Sequence, residues 1–290
     1  MRRVSGPLDL ARHYVDIDRP KEALDALARA QGDELHDPEY WAIRAEALVH
    51  LERYGEGAEA ARRGLEQDAE DIGLLDVLAI CQLELGRYDK AEEALTAALE
   101  VAPENPLLLA HRALVVGRRG DASRARDAVA EAMRVAPDWT PVLRVRAQVA
   151  VLTDDAAAPA YVDELLARHP EDRIGHALRG NLAAKRKRYV SASRAFDEAA
   201  RLDPSDPELA RVAREARVAA HPVLAPVRPL WRFGRWRSYF LYLTIVVILG
   251  AAGLQSLRIA LGIVWISVVI LSWTAPRIIR WRQKRRYGGF

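Results

Sequence analysis

The chain has 290 residues, enough for about two domains, and carries 43 Lys+Arg against 40 Asp+Glu for a net charge of +3. That small excess conceals a split: residues 221–290 hold 11 Lys+Arg and no acid, leaving 32 bases against 40 acids in the first 220. A nucleic-acid-binding domain spreads its bases over the folded surface, so an acidic body with a basic tail argues against that class.

From the N-terminus, small residues recur at a fixed period. Ala11, Ala45, Ala79, Ala113 and Ala147 lie 34 apart, and Gly180 follows 33 later. A second series is Ala23, Gly57, Ala91, Ala125, Ala158 and Ala192, and a third is Ala30, Gly64, Ala98, Ala132 and Ala199. Such a period is one helix–turn–helix unit, and small residues recur where two helix backbones approach closely. Pro103, Pro137, Pro170 and Pro204 close four of the six units, as a proline ends a helix. Residues 208–218 read as a final helix covering the last unit, which an open stack requires.

The third copy, Leu85-Gly86-Arg87-Tyr88-Asp89-Lys90-Ala91-Glu92-Glu93-Ala94-Leu95 through Ala98 and Leu99 to Pro103, resembles the tetratricopeptide repeat (TPR) family. Tyr54, Tyr88 and Tyr189 share a turn position, and Leu27, Leu95, Val129, Val162 and Phe196 the large apolar position of the second helix. The resemblance covers about residues 4–206. It implies an all-α, right-handed solenoid of about six helical hairpins, with residues 1–220 as one domain. It is specific for fold and not for function. Copies one and two end in Leu35 and Ala69, without proline. The fifth copy is one residue short, with Asp154 and Asp155 at its turn and Leu165 where a small residue is expected, so it is expected to be irregular.

The tail has a different character. Residues 238–257 and 259–276 carry no charge and are apolar all round, unlike a surface helix. As helices they reach about 30 and 27 Å, close to a hydrocarbon core. A C-terminal transmembrane helical hairpin over 238–276 is expected, turning at Gln255, Ser256, Leu257 and Arg258; a re-entrant wedge is the alternative. The soluble alternative, a pair of buried helices, needs a covering element that the sequence does not supply. Arg228, Arg232, Arg235 and Arg237 precede the first span, and Arg277, Arg280, Arg282, Lys284, Arg285 and Arg286 follow the second. By the positive-inside rule both outer ends face the cytoplasm, and 277–290 is a basic cytoplasmic tail. Residues 221–237 form a linker in which Pro222, Pro226 and Pro229 favour an extended spacer. Trp231, Arg232, Phe233, Arg235, Trp236, Arg237 and Trp281 suit the membrane interface, with rings among headgroups and guanidinium groups on phosphates.

Met1-Arg2-Arg3 is followed by Asp9 and Asp16 rather than an apolar run, so no export signal is expected. The single Cys81 excludes an internal disulfide, fits a reducing compartment and reads as a small packed residue. Excess Arg over Lys and abundant Ala lean toward a bacterial source. The sequence holds no HExxH, phosphate loop or GxSxG elbow, and its histidines are scattered. Glu92-Glu93 and Asp154-Asp155 read as solvated. No catalytic residue, metal ligand or cofactor is expected.

The resemblance implies that first helices line a concave groove. Their second, fifth, ninth and twelfth positions give Glu39, Ala42, Glu46 and Val49 in the second copy and Gly73, Asp76, Ile80 and Leu83 in the third. They give Leu107, Ala110, Leu114 and Gly117 in the fourth, Arg144, Gln148 and Val151 in the fifth, and Ile174, Ala177 and Asn181 in the sixth. The Lys, Arg and Asn set by which some family members clamp a peptide carboxylate is missing. The groove implies an extended or helical partner segment with an apolar face, to which a basic end could add by meeting Glu39, Glu46 and Asp76. The function expected is thus a non-enzymatic, membrane-anchored protein–protein adaptor at the inner membrane, its repeats in the cytoplasm. The alternative is an assembly or oligomerisation subunit of a larger membrane complex, using Gly250, Ala251, Ala252, Gly253 and Gly262 for close helix approach.

Overall fold

The computed structural model describes residues 6–227 and, between 243 and 274, residues 243–244, 246–248, 255–256, 259–260, 262–263, 266–267, 270 and 274. Among the described residues there are helices and turns and no strand. In chain order the α-helices are α1 (Pro7–Asp16), α2 (Pro20–Leu27), α3 (Pro38–His50), α4 (Tyr54–Leu65), α5 (Ile72–Glu84), α6 (Tyr88–Val101) and α7 (Pro106–Arg119). They continue as α8 (Ala122–Val135), α9 (Thr140–Leu152), α10 (Ala158–Arg168), α11 (Arg173–Lys185), α12 (Tyr189–Leu202) and α13 (Pro207–Ala220). Two helices stand for each of the six expected repeats, the fifth included, although its α10 is shorter than α6, α8 and α12.

The sequence writes these boundaries with two devices. First helices open on a short polar side chain: Asp37, Asp71, Asn105, Asp172 and Asp206 each accept a backbone N–H of the first turn at 2.7 to 3.0 Å. Such caps satisfy donors that have no partner within the helix. First helices close, and second helices begin, through one left-handed residue: Asp18, Glu52, Gly86, Gly120, Asp154 and Lys187, with φ from 53° to 95°. The next residue's N–H reaches back five residues, as from Arg87 to the Gln82 carbonyl at 2.8 Å and from Arg188 to that of Ala183 at 2.8 Å. This paired closure is the Schellman motif, which favours glycine because a Cβ crowds the backbone there.

The chain forms two compact units, Met1–Tyr161 and Val162–Phe290, with α10 at the junction. In the first unit α1–α2, α3–α4, α5–α6 and α7–α8 pair as hairpins. The first helices α1, α3, α5, α7 and α9 stack in a row, and each second helix packs on the first helix that follows. Ala11, Ala45, Ala79, Ala113 and Ala147 are all buried in this row. In the second unit α12 packs between α11 and α13, so α13 covers the last hairpin as expected.

Glycine is used for close approach at two points. A Cβ on Gly64 of α4 would lie 2.5 Å from Leu74 of α5, and one on Gly180 of α11 would lie 2.7 Å from the Phe196 ring. Leu165 of α10, which breaks the small-residue series, is fully buried. A Cβ on Gly175 of α11 would meet Leu165 and Leu166 at 2.9 to 3.2 Å.

Residues Pro222–Val227 depart from the extended spacer expected of them. They wind into a 3-10 helix that packs on α13, with Leu224 fully buried. Proline holds φ near −65°, which suits a 3-10 turn as well as an extended chain, and burial of Leu224 favours the former. Among the described residues no helix is long and apolar enough to cross a membrane. Most of 238–276, with Trp231, Arg232, Phe233, Arg235, Trp236, Arg237 and Trp281, lies outside the described residues. The described residues within 238–276 are helical. Val247, Ile248, Ile259, Ile263, Ile266 and Ile270 among them are each more than half exposed.

Candidate functional site

In the first unit the ninth position of successive first helices holds Arg12, Glu46, Ile80, Leu114 and Gln148, one residue from each of α1, α3, α5, α7 and α9. Stacking of these helices sets the five side chains in a row. All five are half-buried. The row is ionic at its start, aliphatic in its middle and amide at its end. Ala42, Val49, Asp76, Leu107 and Arg144 flank it and are also half-buried, while Glu39 is exposed. Arg144 makes polar interactions of its own.

Two residues expected in the groove are not available to a partner. Leu83 is 4% exposed and Ala110 is 0% exposed, and both belong to the core that joins α5 to α9. Val151 and Gly117 are buried as well. These positions lie where neighbouring first helices touch, so burial against the next repeat outweighs exposure to the groove. In the second unit Asn181 of α11 is exposed, and Ile174 and Ala177 are half-buried.

The acids are already answered from within the chain. Arg12 bridges Glu46 at 2.6 Å and Glu39 at 3.8 Å. Asp76 Oδ1 lies 2.6 Å from His111 Nδ1, with side chains only 13% and 20% exposed. Glu84 meets Arg118 at 3.2 Å. Each of these partners stands one repeat away, across adjacent first helices. The more exposed Arg12 and Arg118 pairs contribute at most about 1 kcal/mol each. Their larger effect is on recognition, because a basic peptide end would have to compete with Arg12 and His111 for these carboxylates. The period itself carries the signal: adding 34 or 35 to Arg12, Asp76 or Glu84 finds the partner.

Among the described residues no group of His, Cys, Asp or Glu could hold a metal ion. Burial pushes the Cys81 thiol up to about 11, so it is neutral near pH 7. Glu92 accepts from both Arg119 and Arg124. Small residues on α4 leave a cavity of about 300 Å3 beside α3, lined by Tyr40, Trp41, Arg44, Leu48, Glu56, Glu59, Ala60 and Arg63. Its carboxylates are tied to Arg53, Arg62 and Arg63, and Arg63 stacks over Trp41.

Two family models described as tetratricopeptide repeat match the sequence, one over residues 8–72 and 155–207 and the other over 73–105. No curated protein matches. Among solved structures, a tetratricopeptide repeat protein from Parabacteroides merdae is similar with a TM-score of 0.66 at 16% identity, over 72% of this chain and 82% of that one. A thermophilic TPR protein of Thermus thermophilus gives 0.56 at 21% identity, over 62% and 98%. PilW, a widely conserved type IV pilus biogenesis factor, gives 0.57 at 16% identity, over 71% and 96%. At these identities the likeness carries the fold alone.

Proposed function

The chain belongs to the tetratricopeptide repeat family, and from that premise we propose that it is a protein–protein adaptor held at a bacterial inner membrane. Proteins of this family generally mediate contacts with other proteins. The observation that carries the reading is the aliphatic middle of the first-helix row. Ile80, Leu114 and Leu107 keep part of their surface open on a face whose acids Glu39, Glu46 and Asp76 already have contacts within the chain. Such a face favours a segment that offers apolar side chains at helical or strand spacing. A basic partner end at Glu39, Glu46 and Asp76 stays secondary in this reading, since Arg12 and His111 already contact these carboxylates.

The membrane part rests on residues 238–276. Six apolar side chains described there, Val247, Ile248, Ile259, Ile263, Ile266 and Ile270, are helical and more than half exposed, in a stretch with a single charge. Water does not favour that exposure, and hydrocarbon does. Arginine-rich flanks on both sides orient the repeats and the C-terminus to the cytoplasm. Anchoring works by confinement: a partner gripped near the bilayer meets membrane components at a raised effective concentration. The adaptor reading assigns the chain no reaction.

The test is capture from native membranes with the full chain. Replacing Ile80 and Leu114 with glutamate is expected to abolish partner enrichment at a cost of about 1–3 kcal/mol in stability, because both are half-buried and Leu114 packs on the core, and thermal melts check that the variant still folds. Unchanged enrichment would remove the groove from the reading. Cross-linking into a discrete homo-oligomer that disappears on deletion of 238–276 would favour the assembly-subunit alternative instead.

A further inference from the structure

The six turns that join first to second helices occupy equivalent positions in their repeats. Positions 16–19 read Asp-Ile-Asp-Arg, 50–53 His-Leu-Glu-Arg, 84–87 Glu-Leu-Gly-Arg, 118–121 Arg-Arg-Gly-Asp and 152–155 Leu-Thr-Asp-Asp. The sixth, 185–188, reads Lys-Arg-Lys-Arg. Every other turn carries at least one acid and at most two bases. The sixth carries four bases and no acid, and all four side chains are exposed. No Asp or Glu occurs between Asp172 and Asp197.

Topology places this turn beside the exit of the chain. α11 and α13 both pack on α12 and both run antiparallel to it through short links, so their C-terminal ends lie at the same edge of the second unit. That edge holds Lys185–Arg188 at the end of α11 and, at the end of α13, Ala220 and the 3-10 helix Pro222–Val227, fixed by buried Leu224. The opposite edge collects acids: Asp203 and Asp206 meet Arg173 there, beside Asp172 at the start of α11. Two helix C-termini favour nearby bases. Other hairpins also end a helix at their turn, however, and none has gathered four.

The ten residues from 228 to 237 reach at most about 35 Å before the uncharged stretch begins. The basic edge is therefore tethered within reach of whatever holds 238–276. We propose that the Lys185–Arg188 turn seats on anionic phospholipid headgroups of the bilayer that anchors the tail. This contact rests on the membrane-anchored reading above and adds a second foot to it. A tail alone leaves the repeats free to tumble, and a basic turn at the exit edge sets that edge against the membrane. Each basic side chain at an anionic surface is worth about fivefold in partitioning, and the attraction fades beyond about 10 Å.

The full chain, labelled with an environment-sensitive fluorophore at Ser191→Cys, is reconstituted into two kinds of vesicle. One is phosphatidylcholine alone, and the other contains about one-third phosphatidylglycerol. Cys81 is buried and labels slowly. Expected is quenching by headgroup-labelled lipid at least fivefold stronger in the anionic vesicles. It falls to the neutral-vesicle level in high salt and in K185Q/R186Q/K187Q/R188Q, while flotation with both kinds of vesicle is retained. Circular dichroism melting confirms that the quadruple variant is folded. Equal quenching in both vesicles, or quenching unmoved by the quadruple substitution, overturns the headgroup contact and leaves the anchor standing. If the substitution instead removes binding to a nucleic-acid probe and spares the quenching, the turn serves nucleic acid and the proposal falls. Failure to float with either vesicle overturns the anchor and the contact together.

Discussion

Where the second hairpin meets the third, Gly64 of α4 lies under Leu74 of α5; where the fifth meets the sixth, Leu166 and Leu165 of α10 both lie over Gly175 of α11. The two junctions occupy the same place in the repeat, and the large and small partners have changed sides. What the stack requires at this point is a summed volume rather than a particular residue, because interiors are close-packed and tolerate exchange only when volume is kept. A family pattern that asks for a small residue at one of the two positions describes half of the constraint.

The sharpest way to break this comparison is L165A, which empties a fully buried site next to a glycine. A loss of about 3 kcal/mol is expected by chemical denaturation, read at α10 and α11 by hydrogen exchange. G175L alone overfills the same space and is expected to cost about 2 kcal/mol. L165A/G175L moves the bulk to the side that Leu74 occupies in the earlier junction and is expected to recover at least half of the summed loss. Simple additivity in this cycle would refute the volume argument.

G180A probes a contact with no compensating partner. The added methyl lies only 2.7 to 2.8 Å from atoms of the Phe196 ring, and a destabilisation of about 1–2 kcal/mol is expected in thermal melts. The turns give a change of opposite sign. Glu52 and Lys187 hold left-handed backbone at φ 58° and 56° without being glycine. E52G and K187G are each expected to stabilise by about 0.5–1 kcal/mol, while G86A loses a similar amount. The smallest effect is a pH dependence at the far edge of the second unit. The Ser205 hydroxyl donates to Asp203 at 2.6 Å and, with Arg173, holds the carboxyl below its ordinary value. A depressed carboxylate contributes stability that is complete above the unfolded pKa of about 4 and is lost as pH falls through the folded value. The contribution is a few tenths of a kcal/mol at this exposure, and S205A is expected to flatten the acid limb of the melting profile accordingly.

The hairpins were legible because one periodic signal repeats six times and the caps repeat with it. The turns were only half legible. Gly86 and Gly120 announce a left-handed residue and Asp tolerates one, but nothing in Glu52 or Lys187 marks the conformation. It is imposed by the two helices that the turn must join. Two groove positions departed for another reason. Leu83 and Ala110 have the right register and are buried, since register gives a direction but not the distance to the next helix. Leu165 looked like a flaw when read along its own series. It makes sense only against Gly175, ten residues on and in the next helix.

Leu224 has a mechanical consequence. A chain that left the repeats as slack thread would absorb any tug on the tail before the folded body felt it. With Leu224 seated on α13, a pull arriving from the C-terminal side is delivered straight to that helix, and α13 is the first piece to peel. The final helix is in this sense expected to act as a fuse, yielding under load before the hairpins behind it.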